Sequence, residues 1–192
     1  MELKRNPPTI RAKGVKVRIR SLLFRLNLKL VKDSDKTVDL GCGWGGSLGV
    51  NPNFYMVDAD EDCISYLKSI GANAYLNDLA KPLPFDDGFF DNAFTHDVLE
   101  HLEEIEMINL FSEARRVLKA GGLFVNVVPN QKGFKVGLTP EVGHKRFVTE
   151  KEVEAAAGLT GFKLISYYRS PLKTKFSEQF AHNKLVTVCI AK

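Results

Sequence analysis

Apolar residues along this chain follow two alternating spacings. Short apolar runs rich in valine, phenylalanine and leucine have the length of buried β-strands. Between these runs, apolar residues three or four positions apart are typical of amphipathic helices. The predicted strands cover 37–40, 54–58, 74–77, 89–95, 123–128, 163–168 and 185–191, and the predicted helices run from Asp60 to about Ile70, from Glu103 to Lys119 and from Thr149 to about Ala157.

The helix predicted at 103–119 has the clearest pattern. Acidic residues open its first turn and basic residues fill its last, as the helix dipole favours, and a glycine pair at 121–122 ends it. The helix after it begins with a capping box from Thr149 to Glu152. We predict one buried face on helix 103–119, formed by Ile105, Ile108, Phe111, Ala114 and Leu118.

The order of these elements predicts the fold class. Strands that alternate with helices favour a parallel sheet covered by helices on both faces. The last two strands have no helix between them, so the final strand is expected to run antiparallel. The sequence therefore predicts an α/β, Rossmann-like three-layer sandwich with a mainly parallel seven-stranded sheet and an antiparallel last strand.

Composition indicates an ordinary folded domain. The 192 residues can bury a sizeable core, and 44% hydrophobic with 26% charged residues is usual for a soluble protein. No apolar run approaches the roughly 20 residues that span a bilayer, and the first residues lack the apolar core of a signal peptide. Cys42, Cys63 and Cys189 lack metal-ligand spacing. We therefore expect reduced thiols, a cytoplasmic location and no metal site.

Charge is unevenly distributed along the chain. Residues 1–32 hold ten lysines or arginines and one acid, a net +9, so the remaining residues carry −5 within the total of +4. We interpret 1–32 as a basic leader that forms a helix packed on a domain at 33–192. The alternatives are contact with nucleic acid or with an anionic membrane surface.

The segment from Val38 to Gly46 joins a short apolar strand to an acid and alternating glycines. Glycine has no Cβ and tolerates positive φ, so the backbone of such a loop can approach a flat ligand closely. Asp58 ends the following strand, where a carboxylate suits the two hydroxyl groups of a ribose. Gly41, Gly43 and Gly46 also fit the G-x-G-x-x-G fingerprint of dinucleotide sites.

Two features argue against a dinucleotide. Asp39 stands two residues before the first glycine, where its carboxylate could accept from an ammonium group but would repel a pyrophosphate. Residues 47–50 leave room for only about one helical turn behind the loop, and pyrophosphate sites depend on helix N-terminal amides. The loop therefore favours an adenosine cofactor without phosphate, although the sequence gives no role for Trp44.

A series of motifs runs over roughly residues 37–128. Its members are Val38–Gly43, Asp58, Asn77–Leu79, Leu83–Asp91, Leu99–Leu102 and Ala114–Gly122. No single motif is specific, but their order and spacing together are. In these motifs the chain resembles the class I S-adenosylmethionine-dependent methyltransferases, specifically the type 11 group.

The resemblance implies S-adenosylmethionine as cofactor and a role for each matching residue. Asp39 would anchor the amino group of the methionine part, which the glycine loop would contact. Asp58 would bind the ribose hydroxyls, and Asp78 would accept from the adenine amine. Thr95 and His96, which the resemblance places just past the fourth strand, would lie near the transferred methyl group. The expected cofactor-binding residues are Asp39, Gly41, Cys42, Gly43, Asp58, Ala59, Asp78, Leu79, Thr95 and His96.

Histidines supply the candidate catalytic bases, because imidazole titrates in the useful range. His96, at the ligand-binding end of the fourth strand, and His144, in the long loop at 129–148, are the two candidates. His101 is expected to be a packed, hydrogen-bonded residue and His182 a surface residue. The loop is the candidate acceptor-binding segment and carries Lys132, Lys135, Lys145 and Arg146 against Glu141.

The sequence therefore predicts a methyltransferase acting on a small, sugar-linked or lipid-linked acceptor, with the basic leader and loop suggesting an anionic one. One alternative is an RNA methyltransferase that uses the basic leader. Another is a binding module that holds S-adenosylmethionine without turnover. Neither the acceptor atom nor the oligomeric state follows from the residues.

Overall fold

The computed structural model describes residues 35–47, 53–129, 144–170 and 184–192. Within them, seven strands form one sheet in the order β3-β2-β1-β4-β5-β7-β6. Strands β1 to β5 pair in parallel, whereas β7 runs antiparallel to both β5 and β6. The strands are β1 Thr37–Leu40, β2 Phe54–Asp58, β3 Asn73–Leu76, β4 Phe90–His96, β5 Leu118–Pro129, β6 Phe162–Ser170 and β7 Lys184–Ala191.

Helices cover both faces of this sheet. Helix α1 spans Glu61–Ser69, α2 spans Glu104–Val117 and α3 spans Glu150–Leu159, and a 3-10 helix covers Leu99–His101. One buried cluster packs α2 and α3 against the sheet, and a second packs α1 against the opposite face. The predicted three-layer Rossmann-like class, with its antiparallel last strand, is confirmed.

The helix termini follow the capping chemistry that the sequence predicted. The carboxylate of Asp60 accepts from the backbone N–H of Cys63 at 3.1 Å and caps α1, which ends before Gly71 at a φ of +80°. Thr149 and Glu152 form the expected capping box of α3. The starts of α1 and α3 therefore lie where local capping residues place them.

The transition from α2 to β5 differs from the prediction. The helix ends at Val117 rather than Lys119, because Leu118 already pairs with Phe90 of β4. The glycine pair therefore lies inside β5 instead of stopping a helix. At Gly122 a Cβ atom would stand 2.8 Å from the carbonyl oxygen of Asp91, so only glycine fits this close approach.

The predicted buried face of α2 is wrong at its first position. Ile105 is 63% exposed, and the buried stripe lies on neighbouring positions. The way the helix leaves its N-terminal capping box and lies on the sheet decides which side chains are buried. The periodicity of a short segment predicts this buried face only to within one position. The buried side chains of α2 are Met107, Leu110, Phe111, Ala114 and Val117.

Several segments named in the sequence analysis lie outside the described residues. These are the leader at 1–32, the helical turn expected at 47–50 beyond Ser47, and most of the loop at 129–148. Among the described residues, no helix combines the length and the apolar composition that crossing a membrane requires. The division into a leader and a domain stays a prediction.

Candidate active site

The glycine loop lies at the carboxyl edge of the sheet, between β1 and β2. The backbone N–H groups of Gly41 and Cys42 both donate to the carbonyl of Val57, at 2.8 and 3.0 Å. Gly41 has a φ of +80°, and a Cβ there would lie 2.4 Å from Cγ2 of Val98. Gly43 has a φ of +52° and open space where its Cβ would be. The loop therefore packs tightly at its first glycine and leaves room for a ligand at its second.

Asp58 lies at the end of β2 and is tied to this loop. Its Oδ2 accepts from the N–H of Gly43 at 2.7 Å, and its Oδ1 accepts from the N–H of Asp60 at 3.0 Å. A carboxylate offers about four lone-pair positions. Within the described residues, these two bonds orient the group and leave acceptor capacity for a ribose diol. Ala59, between the two acids, is exposed.

Asp39 is buried at the end of β1, with 3% of its surface exposed. The hydroxyl of Ser47 donates to its Oδ2 at 2.5 Å. Burial, followed by the negative charges of Asp39 and Asp58, raises the pKa of the Cys42 thiol well above its usual range. The loop is therefore an electronegative site with a neutral thiol, which suits a cation and disfavours a phosphate.

Trp44 acquires a role in the structure. Its ring packs edge-on against Tyr66 of α1, with the ring centroids 5.7 Å apart and an interplanar angle of 61°. This geometry is favourable for two aromatic rings. Trp44 thus fastens the glycine loop to the first helix after β2.

The turn after β3 carries the residues expected at the adenine. The N–H of Asn77 donates to the carbonyl of Asp58 at 3.0 Å, which joins this turn to the ribose position. Asp78 is exposed, and its Oδ1 accepts from the N–H of Ala80 at 3.0 Å. Leu79 packs partly buried against the core. The geometry keeps both residues available for the predicted contacts with adenine, which remain predictions.

Thr95 and His96 do not lie past the fourth strand, as the sequence suggested, but form its last two residues. Thr95 is fully buried, and its hydroxyl donates to Oδ1 of Asn126 on β5 at 2.8 Å. This hydroxyl is therefore part of the sheet interior, and we expect Thr95 to approach a cofactor through its backbone. The side chain of His96 is 21% exposed at the strand end, with Nε2 at 3.8 Å from Oδ2 of Asp97.

Asp97 redirects the chain immediately after β4. Its φ of +57° lies in the left-handed region, and no other non-glycine residue among those described has a positive φ. Its N–H donates to the carbonyl of Val127 at 2.9 Å. Such backbone strain in a non-glycine residue is concentrated at functional sites, where surrounding contacts maintain it.

His144 lies against the 3-10 helix rather than alone in a loop. Its Nε2 is 3.8 Å from Oε1 of Glu100, and its ring meets that of His101 edge-on with centroids 4.8 Å apart. Glu100 was not predicted as a member of this group. The adjacent Glu-His pair in the motif at 99–102 was the available signal, but its third partner is distant along the chain.

The donor set fits S-adenosylmethionine. Asp39 is the last residue but one of β1 and Asp58 is the last residue of the adjacent β2, and Gly43, with its open side, lies in the loop between these strands. One carboxylate suits the ammonium of the methionine part and the other the ribose hydroxyls. A pyrophosphate would face both negative charges at once, so the dinucleotide interpretation does not fit this site.

Comparisons with known sequences agree with this geometry. A family model described as a methyltransferase domain matches residues 38–126. An uncharacterized methyltransferase of Schizosaccharomyces pombe is 31% identical over 114 residues, which are 50% of this chain and 40% of that protein. A 24-methylenesterol C-methyltransferase of Arabidopsis thaliana is 29% identical over 116 residues, which are 53% of this chain and 31% of that protein. The chain thus spans less than half the length of these curated relatives.

Solved structures share the fold. The geranyl diphosphate C-methyltransferase from Streptomyces coelicolor, solved with Mg²⁺, geranyl diphosphate and S-adenosylhomocysteine, aligns with a TM-score of 0.65 at 15% identity. The alignment covers 91% of this chain and 78% of that one. The methyltransferase-domain model thus matches the segment that carries the carboxylates and the glycine loop, and the chain shares its fold with a solved methyltransferase that binds S-adenosylhomocysteine.

Proposed function

We propose that this chain transfers a methyl group from S-adenosylmethionine to a small, sugar-linked or lipid-linked acceptor. The observation that carries the proposal is the coupling of Asp58 to the glycine loop through the N–H of Gly43 at 2.7 Å. This hydrogen bond joins the loop to the Asp58 carboxylate, the predicted ribose acceptor, so that the two form one preformed surface. A preformed site fits an enzyme that must hold two reactants in line, because positioning accounts for much of the rate of such a reaction.

The chemistry needs few groups from the protein. S-adenosylmethionine would supply an electrophilic methyl on its sulfonium: the acceptor atom would bond to this methyl in line while the methyl–sulfur bond breaks and S-adenosylhomocysteine leaves. His96, partly exposed at the end of β4, is the candidate base for a hydroxyl or ammonium acceptor. Asp97, which lies 3.8 Å from its Nε2, would stabilise the imidazolium formed when His96 takes the proton.

The anionic character of the acceptor has less support than the sequence suggested. Lys145 lies 3.2 Å from Glu106 and 3.5 Å from Glu103, and Arg146 lies 3.6 Å from Glu152. These two basic residues of the long loop therefore neutralise local carboxylates. Positive charge toward an acceptor would have to come from Lys132, Lys135 and the leader, which lie outside the described residues.

Hydrophobic or lipid-linked acceptors have support from the names of similar proteins. The plant relative is named for a sterol and the Streptomyces coelicolor enzyme for an isoprenoid diphosphate. A cytoplasmic location remains part of the proposal, and the three cysteines, which are buried and form no disulfide among the described residues, are consistent with it.

The cofactor is tested first by titration calorimetry with S-adenosylhomocysteine and, separately, with NADH. We expect binding of the former alone. Tight binding of NADH without S-adenosylhomocysteine would overturn the proposal.

Turnover is tested with S-adenosylmethionine labelled in the methyl group and a panel of prenyl diphosphates, sterols, nucleotide sugars and small phenols. His96→Gln serves as the matched variant, because it removes the candidate base and should reduce transfer to a hydroxyl or ammonium acceptor far more than it weakens S-adenosylhomocysteine binding. Label transfer to no member of the panel, with intact cofactor binding, would favour the non-catalytic module.

The RNA alternative predicts a distinct signature. Binding through the basic leader should weaken steeply with salt, because each neutralised phosphate releases counterions. A gel-shift series from low to physiological salt, with label transfer to the same RNA, separates this alternative from the proposal. Methylation of RNA in preference to every small acceptor would replace the proposed substrate class.

A further inference from the structure

Glu100, His101 and His144 bring three metal-ligating groups to one place at the carboxyl edge of the sheet. Their ligand atoms all lie within 4.8 Å of one another. Two imidazoles and one carboxylate are the ligands of catalytic zinc sites and of the facial triad that binds iron. The group is therefore a candidate site by its chemistry as well as by its spacing.

Backbone contacts hold the three residues together. The N–H groups of Lys145 and Arg146 both donate to the carbonyl of Glu100, at 2.9 and 3.3 Å. These bonds place His144 directly on the 3-10 helix that carries His101. Main-chain hydrogen bonds thus bring together ligands from two separate segments.

The two basic residues that follow His144 pair with other carboxylates. Lys145 pairs with Glu103 and Glu106, as described above, and Arg146 pairs with Glu152. Glu100 is 2% exposed, and its Oε1 lies 3.8 Å from Nε2 of His144. A carboxylate and two imidazoles this close together are able to share one divalent cation.

The present spacing requires a small contraction. Ligands about 2.0–2.2 Å from a tetrahedral metal lie about 3.3–3.6 Å apart. The 3.8 Å between Glu100 and His144 is close to this value, and the widest separation is 4.8 Å. A side-chain rotation that moves one ligand atom by about 1 Å would bring the widest separation into the range of a tetrahedral site.

The location connects the group to the cofactor loop. Val98, two residues before Glu100, occupies the space beside Gly41, where an added Cβ would stand 2.4 Å from its Cγ2. The segment that carries Glu100 and His101 therefore borders the loop on the side of β4, where His96 ends the strand.

We propose that Glu100, His101 and His144 bind a divalent transition metal ion and leave further coordination positions open. This part of the inference rests on the proposed function. A hydroxyl oxygen of the acceptor would occupy one of these positions, and the metal would lower the pKa of that hydroxyl. His144 would then be a metal ligand, and His96 would remain the candidate base. The sequence predicted no metal site, because its ligands come from distant segments.

The test measures metal binding without activity. The chelator-stripped full chain is titrated with ZnCl₂ by calorimetry and, separately, with CoCl₂ by visible absorption. We expect one ion per chain and a cobalt spectrum of low coordination number. His101→Ala and His144→Ala should each weaken zinc by about 100-fold or more, since even residues that only support ligands contribute 10–100-fold. His182→Ala removes a histidine that is not among the described residues and that the proposal does not use, so this variant should bind zinc as the wild type does.

Controls separate misfolding from loss of the site. Each variant is checked by circular dichroism and by binding of S-adenosylhomocysteine, and Glu100→Gln keeps side-chain size in case the alanine variants do not fold. Failure of the folded wild type to bind either ion would overturn the metal site, and a plain Glu100–His144 ion pair would replace it. Equal loss in His182→Ala would also overturn it. S-adenosylhomocysteine binding by the stripped protein would leave the proposed function standing in either case.

Discussion

Arg116 and Glu113 form a bidentate ion pair on α2, with Nε 3.0 Å from Oε1 and Nη2 2.7 Å from Oε2. The same guanidinium donates to the carbonyls of Leu83 and Phe85 and to the carboxylate of Asp87. Oε2 of Glu113 in turn accepts from the N–H of Leu83 at 2.7 Å. One pair of side chains therefore holds the proline-containing segment 81–88 against the helix.

Replacing Arg116 by alanine should reduce the free energy of unfolding by about 2–3 kcal/mol, because several charge-assisted hydrogen bonds are lost and backbone carbonyls lose their donor. Urea unfolding at pH 7 measures the change. Lys119→Ala is the matched control. Its ion pair with Asp91 is half exposed and should contribute less than about 1 kcal/mol. Equal effects of the two substitutions would show that the network does not stabilise the segment.

The pH dependence of stability should report the same pair. The hydrogen bond from Arg116 holds the pKa of Glu113 below its ordinary value of 4.5. The ionised Glu113 therefore contributes to the free energy of unfolding above about pH 4.5, and this contribution is lost as the pH falls through the lowered pKa. Glu113→Gln should be less stable than the wild type at pH 7, and this difference should shrink toward pH 3. Urea midpoints across this range measure it, with Ser112→Ala as a non-titrating control on the same helix. A difference that stayed constant with pH would contradict the assignment.

Asp58→Ala should weaken binding of S-adenosylhomocysteine by about 1–3 kcal/mol, or roughly 5- to 150-fold. The substitution removes the ribose acceptor and also the partner of the Gly43 N–H. Titration calorimetry gives the affinity, and the exposed Asp86→Ala is the charge-matched control. An unchanged affinity would mean that the ribose binds elsewhere.

Two glycines of the loop should respond differently to alanine. Gly41→Ala should destabilise the fold by about 1–3 kcal/mol, because it combines strain at positive φ with a clash against Val98. Gly43→Ala has no such clash and should mainly impair cofactor binding. Thermal unfolding and S-adenosylhomocysteine titration separate the two effects. Adding Val98→Ala to Gly41→Ala should recover part of the lost stability, and a strictly additive double variant would contradict the clash.

Much of the fold could be predicted from local signals. The capping of α1 by Asp60 and of α3 by Thr149 depends on atoms within one turn of chain, so sequence is sufficient. The end of α2 was misplaced because the pairing of Leu118 with Phe90 is a long-range contact. The buried face of α2 was shifted for the same reason, since the sheet beneath the helix selects it.

The sequence by itself determined the order of the elements, the glycine loop with Asp39 and Asp58 at its sides, and the family to which these point. Those features depend on spacing within short segments. The tertiary structure decided the packing of Trp44 on Tyr66, the burial of the Thr95 hydroxyl and the meeting of Glu100 and His101 with His144. Each of these contacts joins residues from different elements, and only the packing of strands, loops and helices around the sheet brings them together.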